Sequence, residues 1–334
     1  MTSSAHGTAL QIRRLELPTP FPVGPVNAYL IRESSQAVLI DCGPGTEEAR
    51  HELTRLLAQE GLTPQDLSAV ILTHGHVDHV GQASWLQNLG VPVLAPKHVD
   101  TWLDGKFAAY RGEFFSRLYQ VQGVPVGEVD RSVGDLQALN RLMRPAEVDV
   151  TLEYGKPCPV LPQFEVVHVP GHAQHALALW NPVTGEFFAG DQLLPHISSN
   201  ALIEPELDAK RGQEAKRTKS LLQYRKNLAS LQELDISIVY PGHGAVFEEA
   251  HQLIQTRLAE QEQRLDHFLT RVREVGSVSA YRLAVDYFPR HKEQTSLIMS
   301  ETLGYLDWLK VLGEVEEQRE SGANVEVVSW IKRG

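Results

Sequence analysis

The sequence predicts a layered α/β protein, with helices packed outside a β core. Three observations carry that expectation. Short apolar, β-branched runs alternate with amphipathic helical stretches, and the alternation repeats in two similar halves. Two of the apolar runs also end on histidines, at "ILTHGHVDH" (71–79) and "VYPGHG" (239–244).

In chain order, "NAYLIRE" (27–33) and "AVLIDCG" (37–43) read as strands, with "SSQ" as the turn between them. "PGTEEARHELTRLLAQEG" (44–61) reads as a helix: its first turn is acidic, its apolar residues recur at helical spacing, and a glycine closes it. "SAVILTH" (68–74) has the pattern of a buried strand, which puts the histidine-rich turn at a strand's C-terminal end. "GQASWLQNLG" (81–90) then reads as helix and "VPVLAP" (91–96) as strand. "FEVVHVPGH" (164–172), "ALALWNP" (176–182) and "GEFFAGD" (185–191) form a strand ladder with "NPVTGE" (181–186) as a hairpin turn. "SLLQYRKNLASLQEL" (220–234) is an amphipathic helix, and "ISIVYPGHG" (236–244) is another strand.

Residues 101–147 interrupt the alternation as a helical insertion. "TWLDGKFAAYRGEFFSRLYQ" (101–120) puts Phe107, Tyr110, Phe114 and Leu118 on one helical face. Core packing is the plain reading of that stripe; a pocket wall against an apolar substrate is the sharper one, and a homodimer contact is a third. Beyond the catalytic-type region (1–250), residues 251–334 read as a long helix (248–274), two shorter helices, a polar glycine-containing turn and the alternating strand "NVEVVSWIKRG" (324–334). That order is compatible with a small winged-helix-like domain.

At 42% hydrophobic and 22% charged, the chain has the composition of an ordinary globular protein able to bury a sizeable core. No stretch approaches the roughly 20 apolar residues that span a bilayer. The N-terminus lacks the basic-then-apolar order of a secretory signal. Cys42 and Cys158 are too few for a disulfide framework, so the expected setting is cytoplasmic. The net charge of −11 argues against a partner held through many phosphate contacts.

His74-Gly75-His76-Val77-Asp78-His79 concentrates four metal-ligand side chains in six positions. On a tight turn, His74 and His76 can face one cation while Asp78 and His79 face its neighbour. Imidazole and carboxylate suit zinc, and also manganese or iron. Gly75 is expected to permit unusual backbone angles in that turn.

This H-x-H-x-D-H stretch resembles the signature of the metallo-β-lactamase superfamily. "VPGHAQH" (His172), "FFAGDQL" (Asp191) and "VYPGHG" (His243) follow in that superfamily's order, and "VLIDCGPG" resembles its first motif through Asp41. The resemblance covers roughly residues 10–250 and implies an αββα sandwich with ligands along one edge of the paired sheets. It implies a first metal on His74, His76 and His172. A second would sit on Asp78, His79 and His243, with Asp191 bridging both. Asp191 stands where common zinc β-lactamases carry cysteine, which disfavours antibiotic hydrolysis. His76 replaces the glutamate of flavo-diiron oxygen reductases. The full set is similar to the glyoxalase II, lactonase and RNA-processing branches.

The resemblance thus implies a hydrolase for a small ester, thioester or lactone, using two divalent ions, zinc first. Asp78 and Asp191 would position the nucleophile, and His196 is a candidate to face the substrate and protonate the leaving group. Asp41 is expected to hydrogen-bond the ligand loop, and His175 to be structural or to sit behind the ligands. Phe107, Tyr110 and Phe114 are candidate pocket residues. An RNA nuclease is the alternative, weakened by a C-terminal region (276–334) with seven basic and nine acidic residues. A mononuclear iron dioxygenase ranks lower.

Overall fold

The computed structural model describes residues 10–34, 36–105, 107–207, 216–321 and 326–334. Ser35 of the expected first turn, residues 1–9, and residues 322–325, where the polar glycine-containing turn is expected, lie outside the described residues.

The first sheet orders β1 (Gln11–Leu17), β2 (Val26–Glu33), β3 (Gln36–Ile40), β4 (Ala69–Ile71), β5 (Val93–Pro96) and β6 (Val150–Leu152) side by side. Pairing is antiparallel from β1 to β3 and parallel from β3 to β6. The second sheet contains β7 (Pro157–Cys158), β8 (Leu161–His168), β9 (Leu177–Trp180), β10 (Glu186–Gly190) and β11 (Ile238–Pro241), in spatial order β11-β10-β9-β8-β7.

The two-residue period of a strand sorts these side chains into layers. Tyr29, Ile31, Ile40 and Ile71 point inward against Phe164, Val166, Leu179 and Phe188 of the second sheet. Their neighbours Leu30, Leu39 and Val70 point outward onto Leu53 and Leu57 of α1 (Glu47–Gln59). Because β4 is covered on both faces, its sequence Ala-Val-Ile carries no polar alternation. α1 starts where Thr46 accepts from Ala49 N–H, with Glu47 and Glu48 at the positive end of the helix dipole.

On the far side, Ala178, Phe187 and Ala189 pack against α7 (Ser220–Leu231) and α8 (Ala250–Val275). The result is a four-layer αββα sandwich. The same apolar cluster continues through α10 (Thr295–Val311) to Val328 and Trp330, so one core spans residue 250 without a break. Trp330 Nε1 donates to Gln122 Oε1 of the insertion at 3.1 Å.

The insertion is not one helix. α4 (Val99–Leu103) stops before Gly105, whose φ of +71° reverses the chain, and α5 (Phe107–Val121) and α6 (Val126–Leu139) follow. At the C-terminal end, β12 (Ser277–Val278) pairs with β14 (Glu326–Lys332), which pairs with β13 (Val315–Ser321). α9 (Ala280–Tyr287) and α10 lie between β12 and β13. The sequence pattern did not anticipate β13. From Glu316 to Glu320 its residues are acidic, amide or basic and largely exposed, so the apolar alternation of a half-buried strand is missing. Among the described residues no helix is long and apolar enough to cross a membrane.

Candidate metal centre

Five strand ends meet at one edge of the sandwich. β3 ends before Asp41, β4 runs into the 73–76 turn and α2 (Val77–Val80), and β8 leads to the loop holding His172. β10 ends before Asp191, and β11 before Gly242 and His243. His74, His76 and His172 group tightly, as do His74, His79 and Asp191, and Asp78, His79 and His243.

Each backing hydrogen bond decides which ring nitrogen faces the centre. His172 Nδ1 lies 2.9 Å from the Asn200 carbonyl, and His243 Nδ1 lies 2.7 Å from the Pro25 carbonyl. Both oxygens can only accept, so both Nδ1 atoms carry the proton. His79 Nδ1 donates in the same way to Asp41 Oδ2 at 2.7 Å. Thr73 Oγ1 gives its own proton to Asp41 Oδ2 at 2.8 Å and is left to accept from His74 Nδ1 at 3.0 Å. Four imidazoles therefore aim an Nε2 lone pair inward.

That arrangement needs a Lewis acid. His76 Nδ1 sits 3.0 Å from His74 Nε2 and 2.9 Å from His172 Nε2, and one proton cannot satisfy both lone pairs at once. His79 Nε2 and Asp191 Oδ1 are buried with no hydrogen-bond partner. Asp191 reaches both groups: Oδ1 is 3.3 Å from His79 Nε2, and Oδ2 is 3.4 Å from His172 Nε2 and 3.7 Å from His243 Nε2. Asp78 Oδ2 lies 3.4 Å from His243 Nε2. The donor set fits divalent cations.

The electrostatics agree. Burial, then the neighbouring imidazoles, hold His74 well below the usual histidine range, and burial does the same for His76, which favours the neutral form that binds metal. Burial also pulls His79 down, but Asp191, Asp41 and Asp78 outweigh it and hold that imidazole well above the usual range. Burial pushes Asp191 up, yet His79, His243 and His172 win and keep it well below the ordinary carboxylate range. The carboxylates thus favour positive charge at this point, a proton on His79 Nε2 or a metal ion in its place.

Two glycines make room for the cluster. Gly75 is not among the positive-φ residues, so the expectation of an unusual backbone angle is corrected. It is glycine because a Cβ there would fall 2.7 Å from Trp102 Cγ and 3.0 Å from His175 Nε2. At Gly242 a Cβ would collide with Asp191 Oδ1.

Asp41 itself has φ +56°, uncommon for a side-chain-bearing residue, and accepts from Thr73 N at 2.8 Å as well. His175 Nε2 accepts from Gly75 N at 2.9 Å, and burial carries its pKa down to about 3. Cys42 is buried, its Sγ 3.2 Å from the His79 carbonyl. His196 is exposed and lies beside Gly244, at the rim next to His243.

The aromatic stripe divides. Phe114 and Leu118 pack on the main core. Phe107 and Tyr110 instead extend a line of rings, with centroids 5.4 Å apart, that reaches Trp102 at 6.0 Å and then His76 at 5.7 Å. Sequence reasoning missed Thr73, Trp102 and Arg111. Thr73 adjoins the motif and was open to notice; Trp102 and Arg111 reach the centre only through the packing of α4 and α5.

Residues 21–243 match the family model of the Metallo-beta-lactamase superfamily. The chain belongs to that superfamily. It is 30% identical over 308 residues to "Probable metallo-hydrolase YqjP" of Bacillus subtilis (strain 168), covering 91% of this chain and 93% of that protein. It is 24% identical over 238 residues to "Atrochrysone carboxyl ACP thioesterase" of Aspergillus fumigatus, covering 71% of this chain and 56% of that protein. Among solved structures, a metallo-beta-lactamase family protein from Thermus thermophilus superposes with a TM-score of 0.79 at 26% identity, covering 96% of this chain and 98% of that one. Membership of the superfamily, with these histidine and aspartate groups, makes the protein a metallo-hydrolase and implies divalent metal ions.

Proposed function

We propose that the protein holds two divalent ions, zinc by preference, and hydrolyses an ester, thioester or lactone of a small, partly apolar acyl substrate. The observation that carries this reading is Asp191, whose two oxygens face both the His172 and the His79–His243 sides of the cluster. His74, His76 and His172 would hold one ion, Asp78, His79 and His243 the other, with Asp191 between them. Such a pair supplies an acidified water as nucleophile and a Lewis acid for the substrate oxygen.

The chain's own residues do the rest. Asp191 Oδ1, left without a hydrogen-bond partner, would accept a hydrogen bond from the attacking water and orient it. Asp78 holds the opposite flank beside His243. Asp41 fixes the tautomer of His79 and, through Thr73, of His74. His196, exposed at the rim, is the candidate proton donor to the leaving group. Trp102, Phe107 and Tyr110 line the approach for an acyl chain, in keeping with the thioesterase among the relatives. We read residues 251–334 as the long helix and winged-helix-like unit, and the two free buried cysteines favour a cytoplasmic setting.

The test is turnover of a panel of thioesters, lactones and aryl esters by zinc- or manganese-loaded protein, beside a His76→Ala control and an aryl phosphodiester. Carbonyl substrates should turn over at least about 10³-fold faster with the wild type, a barrier difference of about 4 kcal/mol. Equal rates for the two proteins would reject the reading, and phosphodiester cleavage alone would replace it with the nuclease alternative.

A further inference from the structure

We propose that Arg111 is the anion receptor of this centre: its guanidinium binds a carboxylate or phosphate group carried by the substrate beside the scissile bond. The proposal names a substrate class for the hydrolytic reading above and rests on it.

Arg111 stands on α5 with its Cζ 3.8 Å from the Trp102 ring centroid. Trp102 in turn is edge-on to His76 at 5.7 Å and closes against Gly75 of the ligand turn. The guanidinium is therefore one aromatic ring away from the candidate ligands. Stacking occupies a guanidinium face and leaves its N–H edge for a planar, two-oxygen acceptor.

Part of that edge is open. Arg111 Nε is buried without a hydrogen-bond partner. Glu204 and Tyr119 act on the guanidinium only through the field. Glu204 does not pair with it, and its Oε2 is taken by Gln174 N at 2.8 Å. Burial lowers Arg111 to about 10, which still leaves it charged at neutral pH.

A second stacked arginine provides the contrast. Arg225 lies 3.8 Å over Trp308, but its donors meet the Leu258 carbonyl, Gln261 and Glu262. Buried arginine donors are ordinarily satisfied in this way.

Arg111 is also not alone. Trp102 Nε1, His175 Nδ1 and Glu204 Oε1 are buried without partners too. The four residues form one wall. Trp102 is 5.4 Å from the His175 ring, and Arg111 acts electrostatically on both His175 and His76. Unmet donors and an acceptor around a half-buried cation, at the edge of a hydrolytic centre, are the lining expected for a polar, anionic ligand group.

Three thioesters of matched length would test this, one ending in a carboxylate, one in a phosphate and one in a neutral amide, on metal-loaded wild type, Arg111→Lys and Arg111→Met. Wild type should favour one anionic ester over the amide by about 10- to 100-fold in KM, the range for a charge-assisted hydrogen bond. Arg111→Met should erase that preference, and Arg111→Lys should keep part of it. Which anion wins identifies the group.

Calorimetric titration with glutarate monoamide and with inorganic phosphate reads binding without turnover and should show the same loss in Arg111→Met. Anion binding through Arg111 without hydrolysis of any ester would sink the hydrolytic reading while leaving the receptor intact. Indifference of the wild type to charge, or a preference that survives Arg111→Met, overturns the proposal. Should Arg111→Met fail to fold, an undiminished preference in Arg111→Lys overturns it equally, because lysine lacks the fork.

Discussion

Two buried carboxylates flank the histidine cluster and are treated very differently. Asp41, on the first-sheet side, accepts from Thr73 N, Thr73 Oγ1 and His79 Nδ1, all within 2.8 Å. Glu204, on the insertion side, accepts one backbone N–H and leaves Oε1 bare. The contrast extends to their surroundings. Around Asp41 the hydrogen bonds lock two imidazoles in one tautomer each; Glu204 feels only the field of Arg111, whose unmet donor stands beside those of Trp102 and His175. The first wall over-determines its geometry, as a metal site requires. The second is complete only with something bound against it.

The largest effect should come from the residue between the walls. Asp191→Asn removes the charge that both triads share, and we expect kcat/KM to fall by about 10³-fold or more, with metal content per chain reduced. Steady-state kinetics with elemental analysis reads both. Activity within tenfold of wild type would remove Asp191 from the chemistry and leave the two walls without a common centre.

Glu204 comes next, through pH. Burial raises its carboxyl from 4.5 to about 7, against the lowering by Arg111 and the Gln174 N–H. The folded chain therefore binds this proton more tightly than the unfolded chain. The associated stability is full below about pH 4.5 and is lost as pH rises through about 7, by about 3 kcal/mol in all. Glu204→Gln cannot titrate, so the metal-free variant should gain on the wild type between pH 5 and pH 8 in urea unfolding. Parallel curves would mean that Glu204 is as well solvated or paired as Asp41.

These walls also divide what the sequence revealed from what it hid. Four of the ligands lie in one short motif, the turn after β4, whose spacing points to metal by itself; the single residues after β8, β10 and β11 are legible as ligands only through the resemblance to the superfamily. Alternation and amphipathicity expose helices outside a layered β core, because each layer needs an apolar face, and the resemblance supplies the αββα order. Arg111 and Trp102 carry no such signal, since a stacked pair looks like any arginine and tryptophan until α4 and α5 are folded back over Gly75. Even Gly75 misleads in isolation. Its lack of a side chain serves Trp102 packing, a long-range contact, rather than its own backbone. β13 was hidden for a related reason, having little buried surface to leave a period in its sequence.

The smallest of these effects probes the saturated wall. Asp41→Asn keeps shape but turns one acceptor oxygen into an amide nitrogen. Oδ1 receives Thr73 N, and Oδ2 receives both Thr73 Oγ1 and His79 Nδ1, so an amide nitrogen at the first position costs one donor its acceptor and at the second costs two. Loss at the Oδ2 position frees the His79 imidazole, and through Thr73 Oγ1 that of His74, to take the other tautomer and present a proton to the centre. Backing partners of this kind are worth about 10- to 100-fold in metal affinity, so competition with a chromophoric zinc chelator should show a loss in that range with the native fold intact. Asn27→Ser alters a buried amide whose Nδ2 donates to the Pro241 and Gly244 carbonyls, on either side of His243, and not to an imidazole. It should weaken binding less. If the two variants lose affinity equally, what matters at this wall is general rigidity and not the tautomer lock set by Asp41.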